Sequence, residues 1–126
     1  MARDSRRDRR TIESVPLIDV SALPQHEGVR ERVLEALVME VSTALGRPPD
    51  STWVVWRTLD AGSYAVGTAR PEFQPEASHP PIVRIYARRT TEEWERIVAA
   101  VERVIQRELR LDPFVIVERA DESLEQ

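Results

Sequence analysis

The chain has 126 residues, 41% of them hydrophobic and 32% charged, and a formal net charge of −4. That is enough for one domain with a modest core, and no apolar run reaches the ~20 residues that a membrane helix needs. With neither cysteine nor lysine present, disulfides, thiolate catalysis and Schiff-base lysine chemistry are excluded, and a reducing cytoplasm is the expected compartment.

All eighteen basic residues are arginine. Residues 1–14 carry five of them against Asp4, Asp8 and Glu13, a balance of +2, and residues 15–126 carry thirteen against nineteen acids, a balance of −6. The acidic body argues against nucleic acid as a partner. The basic start is followed by no apolar stretch, so it is not a secretory signal. Residues 1–15 are expected to be a flexible basic extension, and residues 16–126 the folded domain. His26 and His79 stand among loop residues and are too few for a zinc site, so no metal is expected.

Pro16-Leu17-Ile18-Asp19-Val20 opens the pattern as a short apolar strand. Over residues 29–45, Val29, Val33, Leu34, Leu37, Val38, Val41 and Leu45 recur at helical spacing, and Gly46 before Pro48-Pro49 stops that helix. Asp50 belongs to the turn that follows. Trp53-Val54-Val55-Trp56 reads as a compact strand, and Asp60-Ala61-Gly62-Ser63-Tyr64-Ala65-Val66-Gly67 as a turn.

The same order then repeats. Pro81-Ile82-Val83-Arg84-Ile85-Tyr86 is a strand, and Thr90 and Glu93 have capping-box spacing at the head of a second helix. Trp94, Ile97, Val98, Val101, Ile105 and Leu109 form its apolar face, with Arg107 and Arg110 suited to its C-terminal dipole. Asp112-Pro113 ends it, and Phe114-Val115-Ile116-Val117 is the last strand. Leu34, Leu37, Val41 and Leu45 stand 64 positions before Val98, Val101, Ile105 and Leu109.

Each strand–helix–strand unit, about 16–67 and 81–119, implies a parallel crossover. The expected fold is α+β: a two-layer sandwich of two β-α-β units, with a four-stranded sheet and both helices on one face. The uncovered face needs a partner, and self-association is the economical one. Val20, Trp53, Val55, Ile85 and Val117 are candidates for that buried face. A ferredoxin-like order, in which the strands of each unit are antiparallel neighbours, is the competing arrangement.

These residues resemble the tautomerase superfamily, in its two-unit form. Pro16-Leu17-Ile18 looks like the family's amino-terminal strand. The Asp60–Gly67 turn resembles the one that follows the second strand of 4-oxalocrotonate tautomerase. Arg88-Arg89-Thr90-Thr91-Glu92-Glu93 is similar to the arginine-bearing start of the second helix in malonate semialdehyde decarboxylase, and Val117-Glu118-Arg119-Ala120-Asp121-Glu122 to the acidic segment after its last strand.

The resemblance implies a homotrimer with a proline-centred site near each subunit boundary and no cofactor. Pro16 takes the role of the proline base, and Arg88, with Arg89 one position off, that of the carboxylate fork. Asp50 lies within a residue of a water-orienting acid, and Tyr64 is a further hydrogen-bond donor to a small carboxylate substrate. Three departures stand against this. Trp53 falls where 4-oxalocrotonate tautomerase has an arginine, the chain stops short of the decarboxylase's aromatic tail, and fifteen residues precede Pro16.

An internal proline nitrogen is an amide and no base, so the alternative is a non-catalytic trimeric scaffold or ligand-binding module. Pro16 is then a strand starter, Arg88 and Arg89 are solvated charges, and Tyr64 is a packing residue with a polar tip. A GC-rich gene can encode Val15 as GTG, a bacterial start codon, and initiation there followed by methionine removal would free the Pro16 amine.

Overall fold

The structure is a computed structural model that describes residues 16–73, 78–87 and 89–119, with the backbone alone at Arg119. Its elements are strand β1 (Leu17–Ala22), helix α1 (Val29–Ala44), a single 3-10 turn (Pro49–Ser51), strands β2 (Trp53–Thr58) and β3 (Ile82–Ala87), helix α2 (Thr91–Leu109) and strand β4 (Phe114–Arg119). The sheet order is β2-β1-β3-β4. β1 runs parallel to β2 and β3 parallel to β4, while β1 and β3 are antiparallel at the centre. The strands within each unit are therefore parallel, and the ferredoxin-like arrangement is excluded.

The two units are built alike down to their first hydrogen bonds. Trp53 N–H donates to Pro16 C=O at 3.0 Å, and Phe114 N–H donates to Pro81 C=O at 2.8 Å. Each proline thus stands just before the first strand of its unit, where its missing N–H costs no ladder bond.

Each helix begins and ends for a local reason. α2 opens with a complete capping box: Thr90 Oγ1 accepts from Glu93 N–H at 3.2 Å, and the Glu93 carboxylate accepts from Thr90 N–H at 3.1 Å. It closes on Arg110 at φ +60°, a left-handed position that costs a non-glycine residue roughly 1–2 kcal/mol. α1 ends in a Schellman turn, in which Gly46 N–H donates to Thr43 C=O and Arg47 N–H to Ser42 C=O. Gly46, at φ +66°, supplies the left-handed residue that this turn requires.

The core lies between the sheet and the helix pair. Ile18 and Val20 of β1 and Val83 and Ile85 of β3 are fully buried against Val33, Leu37 and Val41 of α1 and Ile97, Val101 and Ile105 of α2. Strand alternation puts the other row on the open face: Leu17, Asp19 and Ser21, flanked by Trp53, Val55 and Arg57 and by Ile82, Arg84 and Tyr86. Trp53, Val55 and Phe114 are 42%, 41% and 58% exposed. Asp19 is nonetheless buried, and both its carboxylate oxygens accept from Arg57 Nε at 3.2 Å.

Of the five residues expected on the uncovered face, Trp53 and Val55 are there and three are not. Val20 and Ile85 point into the helix-facing core, and Val117, beside Ile85 in the ladder, shares their side of the sheet. A one-residue error in parity sends a strand side chain to the opposite face.

The helices are also linked through charge. Glu40 of α1 accepts from Arg103 Nε at 3.3 Å and pairs with Arg107 Nη2 at 2.6 Å. The Arg107 hydrogen bond is the main cause that holds the Glu40 carboxyl below its usual range. A depressed carboxyl contributes stability above its unfolded value of about 4.3 and loses it as pH falls through the folded value. Glu40→Gln is therefore expected to cost about 1 kcal/mol or less near pH 7 in urea unfolding, with the difference from wild type closing below pH ~4. A difference that stayed constant with pH would assign the effect to packing alone.

Candidate functional site

One end of the sheet gathers the residues of interest. β1 and β2 begin there, β3 and β4 end there, α1 finishes there and α2 starts there. Pro16 is buried at this end. Extending the two ladders by one residue sets it in a row with Thr52 on one side and Ala87 on the other, both buried. Thr52 is joined to α1 by a buried hydrogen bond of 2.6 Å between its Oγ1 and Ser42 Oγ. This bond fixes the end of α1 to the start of β2, and so fixes one wall beside Pro16.

Arg89 follows Ala87 by two residues, and its side chain is only 6% exposed. Its Nη1 faces Glu93 Oε2 at 4.0 Å, well beyond the roughly 2.7–2.9 Å of a charge-assisted hydrogen bond. Glu93 is itself occupied by the capping box, and the Thr90 backbone N–H is the largest influence holding its carboxyl below the usual range. Burial is the main reason that the Arg89 guanidinium is held below its ordinary value, and the positive charge of Arg47 is the next.

Asp50 lies in the 3-10 turn just before Thr52, exposed and at the same end as Pro16. Arg88 lies outside the described residues. Among the residues singled out from the sequence, Pro16, Arg89 and Asp50 are thus brought to one end of the sheet.

Tyr64 is not brought there. Its hydroxyl donates to Pro80 C=O at 2.7 Å, and the chain that follows Pro80 enters β3 opposite the end of β1. That is the far end of the sheet, on the order of 16 Å of strand from Pro16. Burial pushes the Tyr64 phenol up. Its ring meets His79 edge-on, with centroids 4.8 Å apart. His79 is wholly buried, with Nε2 3.2 Å from Ala69 C=O and Nδ1 3.1 Å from Ser78 Oγ. Tyr64 and His79 together pin the long connection between β2 and β3, a packing role with polar tips satisfied.

Arg47 is the site-end residue that the sequence reading passed over. The Gly46 stop signal is local, but nothing in it announces that the arginine after it comes to the same end of the sheet as Arg89. Surface depressions elsewhere include two among the described residues. One of about 260 Å³ sits at the start of α1, lined by His26, Gly28, Arg30, Trp56 and Thr58. The other, about 440 Å³, runs along α1 and β2 past Leu34, Val38, Met39 and Val54. Among the described residues no three His, Asp or Glu side chains form a group able to hold a metal ion, and no helix is long and apolar enough to cross a membrane.

No protein-family model and no curated protein matches the chain. Solved structures do. The wild-type asymmetric trimer of the fused 4-OT termed F6 aligns at a TM-score of 0.68 and 17% identity, over 82% of this chain and 85% of the other. Pt0534 inactivated by 2-oxo-3-pentynoate aligns at 0.65 and 16%, over 82% and 85%. Malonate semialdehyde decarboxylase, described with decarboxylase and hydratase activities, aligns at 0.60 and 15%, over 82% of both chains. At these identities the likeness is one of fold.

The Ser42–Thr52 bond can be tested directly. Ser42→Ala leaves the buried Thr52 hydroxyl without that partner and is expected to cost about 1–3 kcal/mol in denaturant unfolding. Adding Thr52→Val removes the orphaned group and should recover most of the loss. A double variant as unstable as the single one would show that the bond is not what holds this wall.

Proposed function

We propose that this chain, which has the two-unit fold of the tautomerase superfamily, carries out proton transfer next to a carbonyl on a small 2-oxo or 3-oxo carboxylic acid, with Pro16 as the base once it is the first residue. The observation that carries this reading is the convergence of a buried Pro16 and a buried Arg89 at one end of the sheet. Arg88 and Arg89 hold the carboxylate, a planar group that a guanidinium binds through two parallel hydrogen bonds. Asp50 orients the ligand or a water from the rim.

Pro16 then works through its ring nitrogen. As a terminal secondary amine it has a lone pair, and both burial and neighbouring guanidinium charge favour its neutral, basic form. The amine takes a proton from the substrate and returns it to the carbon next to the carbonyl, so atoms and electrons balance without a cofactor. Comparing the 126-residue protein with a version that begins at Pro16, on phenylenolpyruvate ketonisation, tests this. The trimmed protein is expected to be active and the full chain inactive. A trimmed chain with a confirmed Pro16 terminus that folds and stays inert on enol and oxo acids would sink it.

The second reading is a trimeric scaffold or ligand-binding module without catalysis. It is favoured by the state of Pro16 in this sequence, where Val15 precedes it and its nitrogen is an amide.

Both readings include a homotrimer. Trp53, Val55 and Phe114 give the open sheet face an apolar surface of the kind that subunits cover, and the F6 fused 4-OT is itself a trimer. Light scattering at micromolar concentration is expected to return three times 14.5 kDa. A monomer would refute the assembly. Trp53→Glu should shift the protein toward monomer while leaving the helix-facing core intact.

A further inference from the structure

We propose that the groove between α1 and β2 is the docking site of this chain's own amino-terminal segment, with Ile12 on its apolar floor and Arg9 and Arg10 at its acidic edge. The inference does not depend on the carboxylate chemistry proposed above.

The groove, about 440 Å³, is lined by Leu34, Val38, Met39 and Val54, with Glu31 and Glu35 along its edge. The sheet does not close it. Val33, Leu37 and Val41 of α1 are wholly buried, whereas Leu34, Val38 and Val54 are only half-buried and Met39 is 47% exposed. The internal repeat shows what this flank carries where water covers it. The residues 64 positions after Val38 and Met39 are Glu102 and Arg103, both exposed. α1 thus keeps two apolar residues where α2 has charged ones, and contiguous apolar surface of this kind marks an interaction site.

Position, reach and charge select residues 1–15 as the occupant. They join the fold at Pro16, which extends the β1–β2 ladder opposite Thr52, two residues before Val54 on the same edge strand. One strand spacing and two residue rises put Val54 about 8 Å from Pro16. Ile12, four residues before Pro16, reaches up to about 14 Å, and Arg10 and Arg9 reach about 20–25 Å. On α1, Glu35 and Glu31 stand about 14 and 20 Å before the helix end at Ala44. Going away from Pro16, the groove is first apolar, at Val54, Val38 and Met39, and then edged by the two acids. The segment follows the same order: Ile12 comes first, and then residues 10 to 6, with four arginines against Asp8. Glu35 has no ion pair among the described residues. Glu31 is bonded to Arg30 at 2.7 Å, in an exposed pair of the kind that changes partners at little cost.

The chain has no cysteine, so Ser5→Cys carries a single nitroxide label on the 126-residue protein, and methyl NMR reads which side chains it approaches. Broadening is expected at Leu34, Val38 and Met39, and not at Val98 on the matching flank of α2. Val38→Glu and Met39→Arg copy the residues of α2, and each should remove the broadening at Leu34. Ile12→Asp should do the same, and because Ile12 precedes the first strand it decides the matter if a groove variant fails to fold. Glu35→Gln should lower the ratio of docked to undocked segment by up to about fivefold, and high salt should lower it too. Equal broadening at Leu34 and Val98, or broadening that Ile12→Asp leaves unchanged, overturns the proposal. So does broadening that arises only between nitroxide-labelled and isotope-labelled copies in a mixed sample, which would seat the segment of one copy on another.

Discussion

The antiparallel ladder between β1 and β3, with Leu17 opposite Tyr86 and Ser21 opposite Ile82, is the contact through which two similar units become one domain. Each unit alone is two parallel strands and a helix, with too little sheet to bury the helix's apolar stripe. Pairing β1 with β3 sets the two helices side by side on one face, where Leu37 and Val41 meet Val101 and Ile105. It also turns the second unit end for end. The start of β1 thereby comes beside the end of β3, and Pro16 shares a sheet end with Arg89, which is far from it in sequence.

The same pairing divides the sheet into two chemically different faces. One is closed by helices and is wholly apolar along β1 and β3, from Ile18 and Val20 to Val83 and Ile85. The other mixes exposed Trp53, Val55 and Phe114 with the Asp19–Arg57 pair. A carboxylate as buried as Asp19 needs a charged hydrogen-bond partner, and Arg57 supplies it from the neighbouring strand. That face combines apolar area with a satisfied polar centre, a composition suited to a subunit contact of defined register.

At the Pro16 end, structure and electrostatics are joined by short links. The Schellman turn orders Arg47, the Ser42–Thr52 bond ties that turn to β2, and the capping box holds Glu93 against Thr90 while it faces Arg89. The devices that end one helix and begin the other thus also order charged residues at the sheet end that Pro16 occupies. Tyr64 and His79 do the corresponding work at the opposite end, where they close the long connection into β3.

What the amino-acid sequence determined by itself is local. Helical spacing, the Gly46 stop, the Thr90–Glu93 capping box and the strand–helix–strand repeat were all legible, because each depends on residues a few positions apart. Together they sufficed for the α+β class, the parallel pairing inside each unit and the single helix-covered face. Only the tertiary structure decided what depends on register and on distant neighbours. Val20 and Ile85 are core residues because pleat parity turns them toward the helices, and an unbroken apolar run such as Trp53-Val54-Val55-Trp56 carries no mark of which side is which. Tyr64 belongs to the far end because its hydroxyl finds Pro80, a partner sixteen residues away. The ends of α1 and β3, after which Arg47 and Arg89 follow, come together at one end of the sheet. No spacing rule along the chain encodes that meeting, since it follows from the β1–β3 ladder and not from either residue's own neighbours.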